Sequence, residues 1–209
     1  NTSIMGKEAE RNAILLDLIH ICQDNGITWT DTLSISKDAP FTYTSDSPLV
    51  YTDKEGKLRF NYLGALLDAL PLGSKILPER WRQEDLDAAS SMADLGSGLT
   101  AEEVINGLRE YFLIDESLSD ADARALIGVL YEVNLRSKDI RQTEYIFAQD
   151  VNIDAISAIK ERSLTGVTVS ATTVRQYNTT SAAHLLGRVA AIQSENWANY
   201  KDKGYNMND

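Results

Sequence analysis

Residues 100–135 have the sequence TAEEVINGLREYFLIDESLSDADARALIGVLYEVNL, which predicts two helices joined by a short polar turn. Thr100 and Glu103 form a capping box, in which each side chain receives the backbone N–H of the other residue. The predicted apolar face of the first helix consists of Val104, Ile105, Leu108, Tyr111 and Phe112. The second helix, from about Asp120 to Leu135, places on one face Ala123, Leu126, Ile127, Leu130 and Val133. We expect both faces to share one core.

On the N-terminal side, helical periodicity recurs over about residues 7–23, and Asn25-Gly26 supplies a left-handed C-cap. Its apolar stripe is Ile14, Leu15, Leu18, Ile19 and Cys22. Residues 27–62 predict loops with short strands at 42–44 and 49–51. A short helix is expected over 62–70, and another after Pro78 that includes Glu79 and Asp85.

On the C-terminal side the period changes. Residues 144–147 have strand character, and Asn152 caps a helix whose apolar residues are Ile153, Ile156 and Ile159. A second strand is expected to begin at 167–169 and end near Tyr177, with helices from Ser181 and Ser194. The predicted fold class is therefore α+β, with a helix-rich lobe over about 62–140 and a small mixed sheet with helices over about 141–209.

The composition excludes several functions. The chain of 209 residues has a formal net charge of −11, which disfavours nucleic acid and anionic membrane surfaces because both bind clustered Lys and Arg. No apolar run reaches the roughly 18 residues of a membrane span. The single cysteine, Cys22, cannot form an intrachain disulfide, and its place on an apolar stripe predicts a buried thiol.

Two patterns match known kinds of functional site. Ser34-Ile35-Ser36-Lys37 matches the S-x-x-K pattern of acyl-serine enzymes, but roughly one such match is expected by chance, and the chain has no K-T-G or K-S-G. His20 with Asp17 and Asp24 could line one helix face as metal ligands, whereas an exposed polar face is the expected alternative. We expect no catalytic residue, metal or cofactor in these residues.

The most specific pattern lies near the C-terminus. Gly166-Val167-Thr168-Val169 is followed by Arg175-Gln176-Tyr177 and by residues 182–187, Ala-Ala-His-Leu-Leu-Gly. A guanidinium that follows a strand can bind a carboxylate through two hydrogen bonds and fix the angle between two lobes. An ordinary solvated arginine is the alternative for Arg175.

This pattern resembles the dimerisation, or pedestal, module of class B penicillin-binding proteins of the elongation type. There a P-G-V-x-(V/I) strand, R-x-Y-P-x-G and A-A-H-(L/I)-L-G occur in this order within roughly thirty residues. Two positions depart, because Thr165 replaces the first proline and Asn178 the second. Residues 197–209 resemble the hinge that precedes the family's transpeptidase domain, and Gly6-Lys7-Glu8 resembles low-GC Gram-positive members.

The resemblance implies that Arg175, Tyr177, His184 and Gly187 are scaffold residues between the pedestal and a transpeptidase domain. That domain and a membrane anchor are expected outside residues 1–209, which we interpret as a piece of a longer protein. The parent is then a cell-wall D,D-transpeptidase on the extracytoplasmic face of a bacterial membrane. Implied partners are its own transpeptidase domain, SEDS-family glycosyltransferases and elongation-complex scaffold proteins.

Two alternatives belong to other classes. In one, the chain is an extracytoplasmic adaptor without a transpeptidase. In the other, it is an acyl-serine enzyme through Ser34 and Lys37, which a fluorescent penicillin would label.

Overall fold

The structure, a computed structural model, describes residues 8–70, 81–95, 98–137 and 145–171. The chain divides into two compact units, residues 1–169 and 170–209. The description below concerns the first unit. The prediction of lobes at 62–140 and 141–209 stays a prediction.

Helix α5, Asp120–Ser137, is the centre of the unit, and every residue from 123 to 132 is buried. The expected stripe through Leu126 and Leu130 is confirmed, although Val133 is only half-buried. Burial extends around the whole helix because other elements cover it on several sides. It therefore includes two charged residues, Arg124 and Glu132.

Helix α1, Glu8–Asp24, packs against both α5 and α6, which spans Ile153–Glu161. One face contributes Ile19 to the main core. The other contributes Leu18 and Ile21 to a smaller cluster with Ile159. The predicted stripe missed Ile21 because it assumed a single buried face. Cys22 is free and buried, and burial raises the pKa of its thiol.

The sheet that the structure describes is an antiparallel hairpin of β1, Val50–Thr52, and β2, Leu58–Phe60. Its turn contains Gly56 at a φ of 80°. The predicted strand at 49–51 is confirmed to within a residue, whereas β2 was not predicted. The predicted strand at 42–44 is reduced to a single bridge between Tyr43 and Ile35.

Three further helices follow the hairpin. They are α2 (Tyr62–Asp68), α3 (Gln83–Ala88) and α4 (Ala101–Tyr111), with a 3-10 turn at Met92–Leu95 before α4. Asn61 caps α2 by accepting the Gly64 N–H at 2.9 Å. Glu79, expected in α3, lies outside the described residues.

The predicted capping box of α4 is confirmed. Thr100 Oγ1 accepts the Glu103 N–H at 3.2 Å, and Glu103 accepts the Thr100 N–H at 2.7 Å. The two hydrogen bonds that Thr100 donates to the Glu103 carboxylate, from its N–H and from its hydroxyl at 2.8 Å, lower the pKa of Glu103. Val104, Ile105, Leu108 and Phe112 are buried, but Tyr111 is 42% exposed and does not belong to the core stripe.

Residues 145–171 differ from the sequence prediction. Residues 145–147 are irregular rather than a strand, and 167–171 contain no strand either. Asn152 does cap α6, since its Oδ1 accepts the Ala155 N–H at 2.9 Å. Ile153 lies on the solvent side and is 71% exposed, whereas Ala155 is buried. The α+β class is confirmed, since helices dominate and the sheet is small.

In the part of the chain that the structure describes, no helix is both long enough and apolar enough to cross a membrane.

Candidate functional site

A line of four residues on α5 contains Arg124 and Glu132, two of the three buried polar residues among those that the structure describes. Arg124, Gly128, Glu132 and Arg136 are spaced four apart, so they lie along one helix face. We call this line the polar stripe. Residues 29–36, called the strap, pass along it and form neither a helix nor a strand apart from a single bridge at Ile35.

Arg124 binds one end of the strap. Its Nη1 donates to Asp31 Oδ2 at 2.8 Å, and both side chains are almost fully buried, at 2% and 3% exposed. The same guanidinium donates to the carbonyl oxygens of Leu33 at 3.3 Å, Ile35 at 2.7 Å and Ser36 at 3.1 Å. A buried charge is tolerated only when it is paired and hydrogen-bonded, and Arg124 meets both conditions.

Gly128 allows this ion pair to lie against the helix backbone. A Cβ at this position would overlap Asp31 Oδ2 and would come within 2.7 Å of Arg124 Nη1. Neither neighbour is the free end of an exposed side chain. Gly128 is therefore required by the close approach of the strap.

Glu132 binds the strap two turns further along α5. Its side chain is fully buried, and its Oε1 accepts the Thr32 N–H at 2.7 Å and the Thr32 hydroxyl. Its other oxygen pairs with Arg136 Nη1. Both carboxylate oxygens thus have partners, as a buried carboxylate requires.

Arg136 connects the stripe to the chain beyond α5. Its guanidinium carbon lies 4.9 Å from the centre of the Tyr145 ring, a cation–π geometry. The Tyr145 hydroxyl donates to the Thr30 carbonyl oxygen at 2.7 Å. Burial, with a further contribution from Glu132, raises the pKa of Tyr145, so this hydroxyl keeps its proton at neutral pH.

The strap also contacts residues 146 and 147. Thr30 N donates to the Phe147 carbonyl oxygen at 2.8 Å, and Thr30 Oγ1 donates to that of Ile146 at 3.0 Å. The rings of Trp29 and Phe147 are parallel, with centroids 6.1 Å apart. The Trp29 indole N–H is buried without an acceptor among the described residues, so stacking, not a hydrogen bond, holds this side chain.

The S-x-x-K pattern falls within and just after the strap. Ser34 precedes a bridge residue, and its carbonyl accepts the Thr44 N–H at 3.1 Å, so it does not begin a helix. Lys37 extends over the Trp29 ring, with Nζ 5.8 Å from its centre. An acyl-serine site needs its lysine one helical turn from the serine, and this geometry does not provide it.

The residues considered as metal ligands on α1 contact two different neighbours. His20 Nε2 lies 3.2 Å from Asp122 Oδ1 of α5, and Asp17 lies 3.4 Å from Arg162 Nη1, just after α6. Within residues 8–70, 81–95, 98–137 and 145–171, no three potential ligands are grouped to hold a metal ion.

The scaffold candidates Arg175, Tyr177, His184 and Gly187 lie outside the described residues. The first residue of their motif is described. Gly166 has a φ of 85°, and the Val167 N–H donates to the Leu164 carbonyl oxygen at 3.2 Å. This is a β-turn with glycine at the third position, where a positive φ is needed. The second position favours proline but accepts other residues, which explains why Thr165 can stand there.

Sequence analysis missed Asp31, Arg124, Glu132 and Arg136. A signal was available, because residues 123–131 carry one charge among small and apolar residues, and a helix that is apolar all round is buried. The partner of Arg124 could not be read in this way, since Asp31 is 93 residues away.

The described residues thus define a mainly helical α+β scaffold whose buried charges are bound to its own backbone. Comparison with family models identifies the family. The model described as "Penicillin-binding Protein dimerisation domain" matches residues 9–209, and the chain belongs to this family. A dimerisation domain is non-catalytic in itself. A search of curated proteins found no significant match.

Proposed function

We propose that the chain is the pedestal of a class B, elongation-type penicillin-binding protein. In this role it holds a peptidoglycan D,D-transpeptidase domain at the extracytoplasmic face of the membrane. The observation that carries the proposal is the family match over residues 9–209, together with the sequence motifs that follow one another from Gly166 to Gly187.

The geometry supports a mechanical role. A pedestal must keep its shape when force or a partner acts on it, and α5 provides a buried axis bound to the strap at two levels. Polar groups of the stripe are directed to the chain's own backbone. These polar groups stabilise the fold of the chain and are not directed to a substrate.

The proposed partners follow from the same role. The first is the transpeptidase domain of the same protein, reached through Arg175, Tyr177, His184 and Gly187. A SEDS-family glycosyltransferase and elongation-complex scaffold proteins are proposed as further partners, bound at the membrane face.

Fluorescent penicillin tests the proposal. The residues encoded after Asp209 should contain the S-x-x-K, S-x-N and K-T-G set, and the full-length protein should be labelled there. The isolated chain and its Ser34→Ala variant should both stay unlabelled. Stoichiometric labelling of the isolated chain, lost in Ser34→Ala, would support the acyl-serine alternative. Absence of a transpeptidase after Asp209 would favour the adaptor.

Arg175→Ala in the full-length protein tests the scaffold role. We expect impaired wall synthesis with β-lactam acylation retained, because the acyl-serine chemistry would lie in the other domain. Lys160→Ala, at an exposed position on α6, is the control. Loss of acylation in a folded Arg175→Ala protein would instead place Arg175 beside the chemistry.

A further inference from the structure

We infer that the strap is a conformational lock: it couples the position of residues 145–147 to the position of helix α5. Residues 145–147 lead toward the chain's C-terminal unit. The lock is a property of the first unit. Its importance for a transpeptidase domain rests on the proposed function.

The strap is bound at two levels of α5. Arg124 holds residues 31–36 through one ion pair and three carbonyl oxygens. Glu132 holds Thr32 through its N–H and its hydroxyl. Because these contacts come from one rigid helix, the strap cannot slide along α5 without breaking several buried charge-assisted hydrogen bonds together.

The contacts then form a closed ring. Glu132 pairs with Arg136, the Arg136 guanidinium covers the Tyr145 ring, and the Tyr145 hydroxyl donates to Thr30. The backbone from Thr30 to Thr32 leads back to Glu132. In a closed ring each contact is held in place by the others, so loss of one weakens its neighbours beyond its own energy.

Residues 145–147 are positioned by side-chain packing as well as by the strap: Tyr145 and Phe147 pack against the main core, and Phe147 also packs against the smaller cluster between α1 and α6. They belong to neither a helix nor a strand. Their backbone hydrogen bonds to the strap come from Thr30, at the Phe147 and Ile146 carbonyl oxygens. To this packing the ring adds directional contacts, and Phe147 stacks on Trp29 of the strap.

Amide hydrogen exchange in the 209-residue chain tests the lock, with Tyr145→Phe as the variant. The change removes one hydroxyl donor and keeps the ring on Arg136. The reporter is the Thr30 N–H, bound to Phe147. We expect its exchange to accelerate roughly five- to tenfold, as loss of about 1 kcal/mol implies, while amides of α4 keep their rates.

Tyr43→Phe is the matched control. The Tyr43 hydroxyl also donates to a backbone carbonyl oxygen, that of Leu99, at 2.6 Å, but it lies outside the ring. This variant should leave the exchange rate of the Thr30 N–H unchanged. A second variant, Thr30→Val, removes the hydroxyl that donates to the Ile146 carbonyl oxygen. It should also accelerate exchange of the Thr30 N–H while the amides of α4 keep their rates.

Unchanged Thr30 exchange in Tyr145→Phe would overturn the lock, as would an equal acceleration in α4 or in the Tyr43→Phe control. None of these outcomes depends on a transpeptidase. Conversely, absence of a transpeptidase after Asp209 would overturn the proposed function and leave the lock intact.

Discussion

At the residue scale, Arg124 and Asp31 decide how the strap lies on α5. Removing a charge from water costs several kcal/mol, and their mutual attraction offsets this cost only with good geometry and further hydrogen bonds. Arg124 has both, since its donors also reach three carbonyl oxygens. The pair therefore specifies one arrangement of the strap on α5. Its effect on stability can be measured by removing one partner.

Arg124→Met should lower the free energy of unfolding by about 3–5 kcal/mol, because it leaves Asp31 charged, buried and unpaired. Urea denaturation measures the change. Arg162→Met, which removes one partner of the exposed pair with Asp17, should cost less than about 1 kcal/mol. Equal effects of the two substitutions would contradict the structural role of Arg124.

For Gly128→Ala, the sign of the change in the free energy of unfolding distinguishes two effects. Helix propensity alone predicts a gain of about 1 kcal/mol, because alanine is the better helix former. The overlap with Asp31 and Arg124 predicts instead a loss of about 1–3 kcal/mol. Thermal unfolding that shows stabilisation would mean that the strap can move away from α5 at little cost.

At the element scale, helix boundaries followed local chemistry. The capping box of α4 and the Asn152 cap of α6 were predicted from single residues, because a cap needs only neighbours in sequence. The apolar faces were predicted less well. Tyr111 and Ile153 fit the helical period but are 42% and 71% exposed, because the period of a helix does not show how far its neighbours cover each face.

Thr100→Ala should destabilise the chain by about 0.5–2 kcal/mol through loss of the α4 cap. Thr168→Ala, at an exposed position in an irregular segment, is the control and should change stability by less than about 0.5 kcal/mol. Circular dichroism during urea denaturation follows both variants. The prediction fails if the two changes are indistinguishable.

The shared core of α4 and α5 can be tested with leucine truncations. Leu108 is 0% exposed and Leu130 is 2% exposed, so each change to alanine should cost about 2–5 kcal/mol. Leu113→Ala, at a residue 65% exposed, should cost less than about 0.5 kcal/mol. Changes in the free energy of unfolding below about 0.5 kcal/mol at both buried leucines would show that the buried faces of α4 and α5 are assigned wrongly.

At the scale of the whole molecule, four tyrosines make stability depend on alkaline pH: Tyr145, whose pKa is also raised by burial, and three others. Burial raises the pKa of Tyr43, Tyr62 and Tyr131 to about 12 each. In the unfolded chain these hydroxyls lose their protons near pH 10. Between about pH 10 and 12 the folded chain therefore holds more protons, and its stability must fall as the pH rises.

We expect the free energy of unfolding to decline from about pH 10 and to continue falling through about pH 12. Tyr131→Phe should make this decline shallower, because it removes one titrating group. Denaturation series at stepped pH, with tyrosinate absorbance recorded on the folded chain, measure both effects. Full titration of the folded chain near pH 10 would contradict the burial of these hydroxyls.

The sequence by itself determined the caps of α4 and α6, the position of most described helices, the buried thiol of Cys22 and the family motifs. Each of these depends on contacts between residues close together in the chain, or on a period within one element. Tertiary structure determined which elements pack against one another and which side chains pair across them. It buried α1 on two sides, kept residues 145–147 from pairing as a strand and placed Asp31 against Arg124 across 93 positions. The physical reason is that a buried charge is stable only beside a particular partner, and that partner is chosen by packing rather than by sequence distance.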